Sequence, residues 1–289
     1  MKFGGNMEKY IVSADSTVDI TPELIAQYNI NIAPLSVILG ESEYLDGVTL
    51  TPDDIYAYVD KTGVLPRTAA INQTAFEEHF NKIRGGDKSI PVIHFTLSSE
   101  LSCSCQNAKL VAAEAQNVHV VDCRSLSTGT SLLMLKALDM LREGAGIDET
   151  LEFCANNTSK VQASFVVDDL LYLYKGGRCK GLTMYVAKLA LIHPMLHMQD
   201  GFLKPDTKFM GPMKIVLTKY VKYLKENHPN PDKTRVFLTH TKMDEKLVEH
   251  TKKLIKEYFE FDEIIETVAG ATITSHCGPG TLGVLFLDN

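Results

Sequence analysis

With 289 residues, 45% hydrophobic and 22% charged, the chain has a globular composition and is long enough for two ordinary domains whose core can enclose a cavity. A net charge of −7 gives no electrostatic footprint for nucleic acid or an anionic membrane surface. The longest apolar stretches, residues 170–174 and 189–192, are far shorter than the roughly 20 residues of a membrane span, and residues 1–9 lack the apolar run of a secretory signal, so a cytoplasmic protein is expected.

Residues 10–14 read as a first strand running into the polar turn Asp15-Ser16-Thr17. Thr21-Pro22-Glu23 and Thr51-Pro52-Asp53-Asp54 each supply an N-cap, a proline at the first helical position and early acids, so both open helices. Residues 30–39 are strand-like, and a loop over residues 63–68 places Thr68 just ahead of a helix over 73–83. Residues 92–97 form a β-rich run, followed by Ser98-Ser99-Glu100-Leu101-Ser102 and a helical stretch over 104–115. A strand at 118–122 precedes a helix whose stripe is Leu133, Ala137, Met140 and Leu141. This βαβα alternation predicts an N-terminal domain, residues 1–158, with a parallel sheet flanked by helices and ligands beyond the strands' carboxyl ends. Near Thr158 the pattern changes. Strands at 163–167, 192–202, 235–240, 261–268 and 283–287, with helices at 214–225 and 244–258, predict a C-terminal α+β domain over residues 159–289.

Six cysteines without C-x-x-C spacing read as reduced thiols, and the nine histidines form no ligand cluster, since Pro194 separates His193 from His197. Neither a metal nor a cofactor is expected. The serine turn offers hydroxyls and backbone N–H groups ahead of a helix, either as an anion site or as a helix cap. Lys175-Gly176-Gly177-Arg178 sets a fixed cation after a flexible turn. Ser275-His276-Cys277-Gly278-Pro279-Gly280 fixes a histidine at the end of an apolar strand, beside a turn that lets other backbone approach.

Taken in this order, Asp15-Ser16-Thr17, the serine turn, Lys175–Arg178 and His276–Gly280 resemble the bacterial DegV family. The resemblance implies a two-domain lipid-binding protein that holds one long-chain fatty acid. Its carboxylate would rest on Thr68 and Ser102, with Ser98, Ser99, Arg178 and His276 in support. It further implies a carrier that hands the acid to a separate fatty acid kinase, catalysis lying with that partner; no P-loop segment is present in this chain. Ala69 stands where the family has serine, Ala70, Ile71 and Asn72 replace the residues that follow, and Cys103 and Cys105 replace a glycine and an aromatic, changes that reshape the head-group pocket. Two other classes stay open. One is a lipid hydrolase or acyltransferase with Ser99 or Ser102 as nucleophile and His276 as base, against which stands the lack of a G-x-S-x-G elbow. The other is a binding protein for a different small ligand.

Overall fold

The computed structural model describes residues 10–179 and 191–289; the expectations placed on residues 1–9 and on part of 189–192 lie outside these. β1 (Ile11–Asp15) runs into a 3-10 turn at Ser16–Val18, and α1 (Pro22–Tyr28) starts at Thr21, whose Oγ1 accepts from Leu24 N. The strand-like run over 30–39 is two strands, β2 (Ile30–Ala33) and β3 (Ser36–Leu39). Pro34 lies between them and has no N–H for a ladder, while Leu35 N turns away to Ser16 Oγ at 3.1 Å. β4 (Ser42–Leu45) pairs with β3, and α2 (Pro52–Thr62) opens where Asp54 accepts from both Thr51 N and Thr51 Oγ1. Thr68 is not in a loop: β5 (Arg67–Ala69) pairs antiparallel with β3, giving a small sheet of order β4-β3-β5.

α3 (Gln73–Arg84), β6 (Val92–Thr96), α4 (Ser104–Glu114) and β7 (Val118–Asp122) complete the predicted alternation. The parallel sheet has the order β2-β1-β6-β7. One face packs with Phe76 and Phe80 of α3 and Ala108 and Val111 of α4; Val12, Ala14, Ile93 and Phe95 point to the other. There lies α5 (Thr128–Arg142), which is buried nearly all round instead of showing the single stripe the sequence predicts. The cause is its position: it contacts β6 on one side and two strands of the second sheet on the other.

α6 (Ile147–Asn157) leads to β8 (Val161–Val166) and α7 (Leu171–Gly176). The single strand expected at 192–202 is a hairpin of β9 (Ile192–Gln199) and β10 (Phe202–Met210). Its turn is Asp200-Gly201, both at positive φ, the pair that two-residue hairpins favour. α8 (Met213–Asn227), β11 (Pro231–His240), α9 (Glu245–Tyr258) and β12 (Ile264–Val268) follow, then α10 (Ala271–Cys277) and β13 (Leu282–Asp288). The mixed sheet has the order β10-β9-β8-β13-β11-β12. His276 therefore belongs to a short helix and not to the end of a strand. The amino end of α10 is held by side chains from the first half of the chain: Asp19 Oδ1 accepts from Gly270 N at 2.8 Å, and Asp46 accepts from Ala271 N and Thr272 N at 2.8 and 3.1 Å. Among the described residues no helix is long and apolar enough to cross a membrane, and no cluster of metal-ligating side chains forms.

Candidate functional site

Beyond the carboxyl ends of β1 and β6 lies a cavity of about 410 Å³, bounded by β5, the serine turn, α7, β10 and α10. Its inner walls are apolar, with Leu35, Leu97, Leu126, Leu173 and Leu203 all nearly or fully buried. Its rim is polar and carries Thr68, Ser99, Glu100, Ser102, Arg178 and His276.

The serine turn is a folded unit whose three serines do different things. Ser98 is fully buried: its Oγ donates to the Gly201 carbonyl at 2.7 Å and accepts from Glu100 N at 3.2 Å, while its carbonyl accepts from Leu101 N and Ser102 N. It shapes the turn and does not line the cavity. Ser99 is exposed on the rim, its N–H held by Asp122 Oδ1 at 3.2 Å. Ser102 Oγ accepts from Ser104 N at 3.2 Å, at the first residue of α4, and meets Ser104 Oγ at 3.1 Å, so it both ties the start of the helix and lines the cavity. Asp15 does not reach the cavity. It accepts from Thr17 N, from Thr17 Oγ1 and from Leu97 N at 2.8 Å, and its burial pushes its pKa up to about 6.

Although 208 residues separate Thr68 from His276, Thr68 Oγ1 lies 2.8 Å from His276 Nε2. Burial, and then the Arg178 cation, push the histidine down to about 4, so the ring is neutral near pH 7 and carries one N–H. Its Nδ1 is buried with no hydrogen-bond partner among the described residues. An N–H there would be stranded, so the hydrogen is assigned to Nε2, where Thr68 Oγ1 accepts it. The threonine hydroxyl is thereby left to donate into the cavity.

The glycine motifs gain a specific reason from this packing. A Cβ on Gly176 would run into His276 Nδ1, and Gly177, at φ 68°, ends α7 in the left-handed conformation. A Cβ on Gly278 would meet the Tyr172 ring at 2.5 Å, and one on Gly280 would meet Asp168 Cβ at 2.7 Å. The two motifs are thus opposite faces of one contact between α7 and α10. Arg178, exposed at its edge, donates from Nη1 to the Gly176 carbonyl at 2.8 Å.

Of the six residues singled out from sequence, Thr68, Ser99, Ser102, Arg178 and His276 line one cavity and Ser98 stands behind it. No serine–histidine relay is assembled among the described residues, because the ring bonds Thr68 and Ser102 bonds Ser104. Cys103, at the family's glycine position, is exposed on the rim, and Cys105 is buried. Thr272, which also lines the cavity, was missed. Placing His276 at the end of an apolar strand hid that Thr272 lies one helical turn before it, a spacing that α10 makes meaningful.

The family model described as an uncharacterised protein of the DegV family matches residues 9–289. A fatty acid-binding protein of Thermotoga maritima is 32% identical, over 95% of this chain and 96% of its own length. A DegV domain-containing protein of Clostridium perfringens is 30% identical over 98% of this chain and 99% of its own. The crystal structure of a DegV lipid binding protein from Thermotoga maritima superposes with a TM-score of 0.86 at 30% identity, covering 97% of this chain and 98% of that one.

Proposed function

This chain belongs to the DegV family, and from that premise and the geometry of the cavity we propose that it binds a long-chain fatty acid, its alkyl chain between the leucine walls and its carboxylate at the rim. The carrying observation is that Thr68 and Ser102 both line an apolar cavity and that Thr68 Oγ1 lies 2.8 Å from His276 Nε2. The volume, about 410 Å³, is in the range of small-molecule sites, roughly 300–1,000 Å³. Each methylene taken from water contributes about 0.8 kcal/mol, against which stand the costs of association and ordering. The polar groups need only choose the head group. A carboxylate leaving water must keep its hydrogen bonds, and the hydroxyls of Thr68 and Ser102 supply donors while Arg178 supplies a cation at the edge. Because His276 is neutral, the donor pattern does not change between pH 6 and 8, two units or more above its pKa of about 4.

The carboxylate in this reading sits at the rim and not at the bottom of the cavity. We take this to be presentation: the acid is offered to a separate kinase, with Arg178 and Glu100 facing that partner, and this chain is a carrier and not the catalyst. Six cysteines with no C-x-x-C pair among them fit a reducing cytoplasm.

Native mass spectrometry of the purified protein, followed by solvent extraction, tests the reading: a stoichiometric fatty acid is expected. Thr68→Val combined with Ser102→Ala is expected to weaken fatty-acid affinity at least ten-fold, about 1.4 kcal/mol, while the fold persists with Tm lowered by several degrees, since Ser104 N and the His276 ring lose their partners. Undiminished affinity in the double variant would remove these residues from the head-group site. Protein that is empty and takes up no added fatty acid would remove the reading itself.

A further inference from the structure

Ser98 belongs to the serine turn but does not line the cavity; its hydroxyl is spent on the Gly201 carbonyl, 2.7 Å away at the tip of the β9–β10 hairpin. A second donor reaches the same tip. Arg124, which follows β7, donates from Nη2 to the carbonyl of Asp200, and its guanidinium is flanked by Glu100 at 3.7 Å and Asp122 at 3.9 Å. The approach is close enough to need a glycine, because a Cβ on Gly201 would lie 2.8 Å from both Ser98 Oγ and Arg124 Nη2. Two side chains from the first half of the chain thus hold the two carbonyls of one turn in the second half.

What they hold is a strap beside the cavity. The β8 ladder meets β9 at Met195, Leu196 and His197, so residues 198–203 stand beyond it as a two-stranded ribbon, a form with little stability of its own. Leu203, on the returning strand of the ribbon, is 3% exposed, lines the cavity and bridges to Cys179, the residue after Arg178. The ribbon therefore runs from the serine turn to the Lys175–Arg178 motif along one side of the cavity. An alkyl chain has to reach Leu35, Leu97, Leu126 and Leu173 as well, all of them buried, so a wall must part for it to enter.

We infer that residues 198–203 are the gate through which the acyl chain enters and leaves, and that Ser98 and Arg124 are positioning residues that latch it shut. This deepens the fatty-acid reading above and rests on it. Neither latch residue lines the cavity, so the acid neither makes nor breaks the latch bonds. A weaker latch raises the open fraction for entry and for exit alike, and the change cancels from the affinity.

The test is stopped-flow uptake and release of a fluorescent fatty acid on delipidated protein, beside an equilibrium titration, in the wild type, Arg124→Met and Ser98→Ala. Arg124→Met keeps the alkyl stem, removes the donors and leaves the hydrogen bonds within the serine turn in place. It is expected to speed uptake and release each by about three- to ten-fold, the worth of one such bond, with Kd within about two-fold of the wild type. Hydrogen exchange read by mass spectrometry is expected to quicken at residues 198–203 and to stay unchanged in β1 and β6. Ser98→Ala, which also takes the acceptor of Glu100 N, is expected to show the same acceleration of both rates with a lower Tm. Unchanged rates in both variants, or faster release with affinity lost in proportion, overturn the inference and leave the fatty-acid reading standing. Wild-type protein that takes up no fatty acid overturns both.

Discussion

His276 shows how one side chain can be positioned almost entirely by what its neighbours lack. The ring occupies space that Gly176 leaves open, its Nδ1 faces that glycine, and its Nε2 reaches Thr68 at 2.8 Å. Gly176→Ala is therefore expected to push the ring off its seat without breaking α7, because alanine is the best helix former. Fatty-acid affinity should fall about ten-fold, the value of an oriented hydrogen bond to an ionised group, while Tm drops by only a few degrees. Titration calorimetry beside a thermal melt separates these effects, and unchanged affinity would mean that His276 does not orient the threonine. The contrasting residue is Gly177, where any side chain would meet a left-handed backbone at φ 68°, so there the penalty should fall on stability instead.

At the scale of elements, α10 is a seven-residue helix anchored from the other half of the chain. Asp46 accepts from Ala271 N, Thr272 N and Ser16 Oγ, the last at 2.9 Å, and is itself buried. Asp46→Ala leaves these donors without that acceptor in a dry place, at a cost of roughly 3 kcal/mol or more. Since α10 carries His276, Thr272 and Ile273 into the cavity, affinity is expected to fall together with stability, and denaturant melts with ligand titrations read both. A variant as stable as the wild type would show that the helix is held by packing alone. This anchoring also explains why α10 was illegible in the sequence. Seven residues that run Thr272-Ile273-Thr274, three β-branched in a row, favour strand locally, and only acceptors more than two hundred positions away make helix the answer. Caps written in adjacent residues were legible, as at Thr21-Pro22 and Thr51-Pro52, and so were the strands at 92–96, uniformly buried, and at 118–122, with its three valines. Thr68, Ser102 and His276 were legible as candidate site residues through their motifs, but their meeting in one cavity was not, because no local signal encodes a contact across 208 positions. The break at Pro34 and the Asp200-Gly201 turn were readable signals, and giving them more weight would have split both overlong strands.

For the whole molecule, acid resistance depends on groups folded into the core in their neutral form. Ser13 Oγ lies 2.7 Å from His79 Nε2 and 2.9 Å from His94 Nδ1, between β1, α3 and β6. Burial, helped by Lys82, pushes His79 down to about 4; burial, helped by His79, pushes His94 down to about 3. His276 is likewise held at about 4. Unfolded histidine titrates near 6.5, so between there and pH 3–4 the unfolded chain binds more protons than the folded one. The stabilisation from these three residues is therefore complete above about pH 6.5 and is lost as pH falls, on the order of 10 kcal/mol by pH 4. Asp15 acts in the opposite sense. Raised to about 6 by burial, it loses stability as pH climbs from 3.8 through 6, and it gives back about 3 kcal/mol on acidification. Asp19, likewise buried and raised well above its usual value, offsets a further part of the histidine loss, which before these offsets is comparable with the whole stability of an ordinary domain, about 5–15 kcal/mol. Cooperative unfolding is thus expected between about pH 6 and pH 4, followed by far-UV circular dichroism. His79→Gln keeps an amide within reach of Ser13 but takes up no proton, so its acid midpoint should move down by about half a pH unit or more relative to the wild type. A midpoint unmoved by His79→Gln, or a wild-type fold that persists at pH 3, would show that the buried histidines do not set the acid limit and that the carboxylates do.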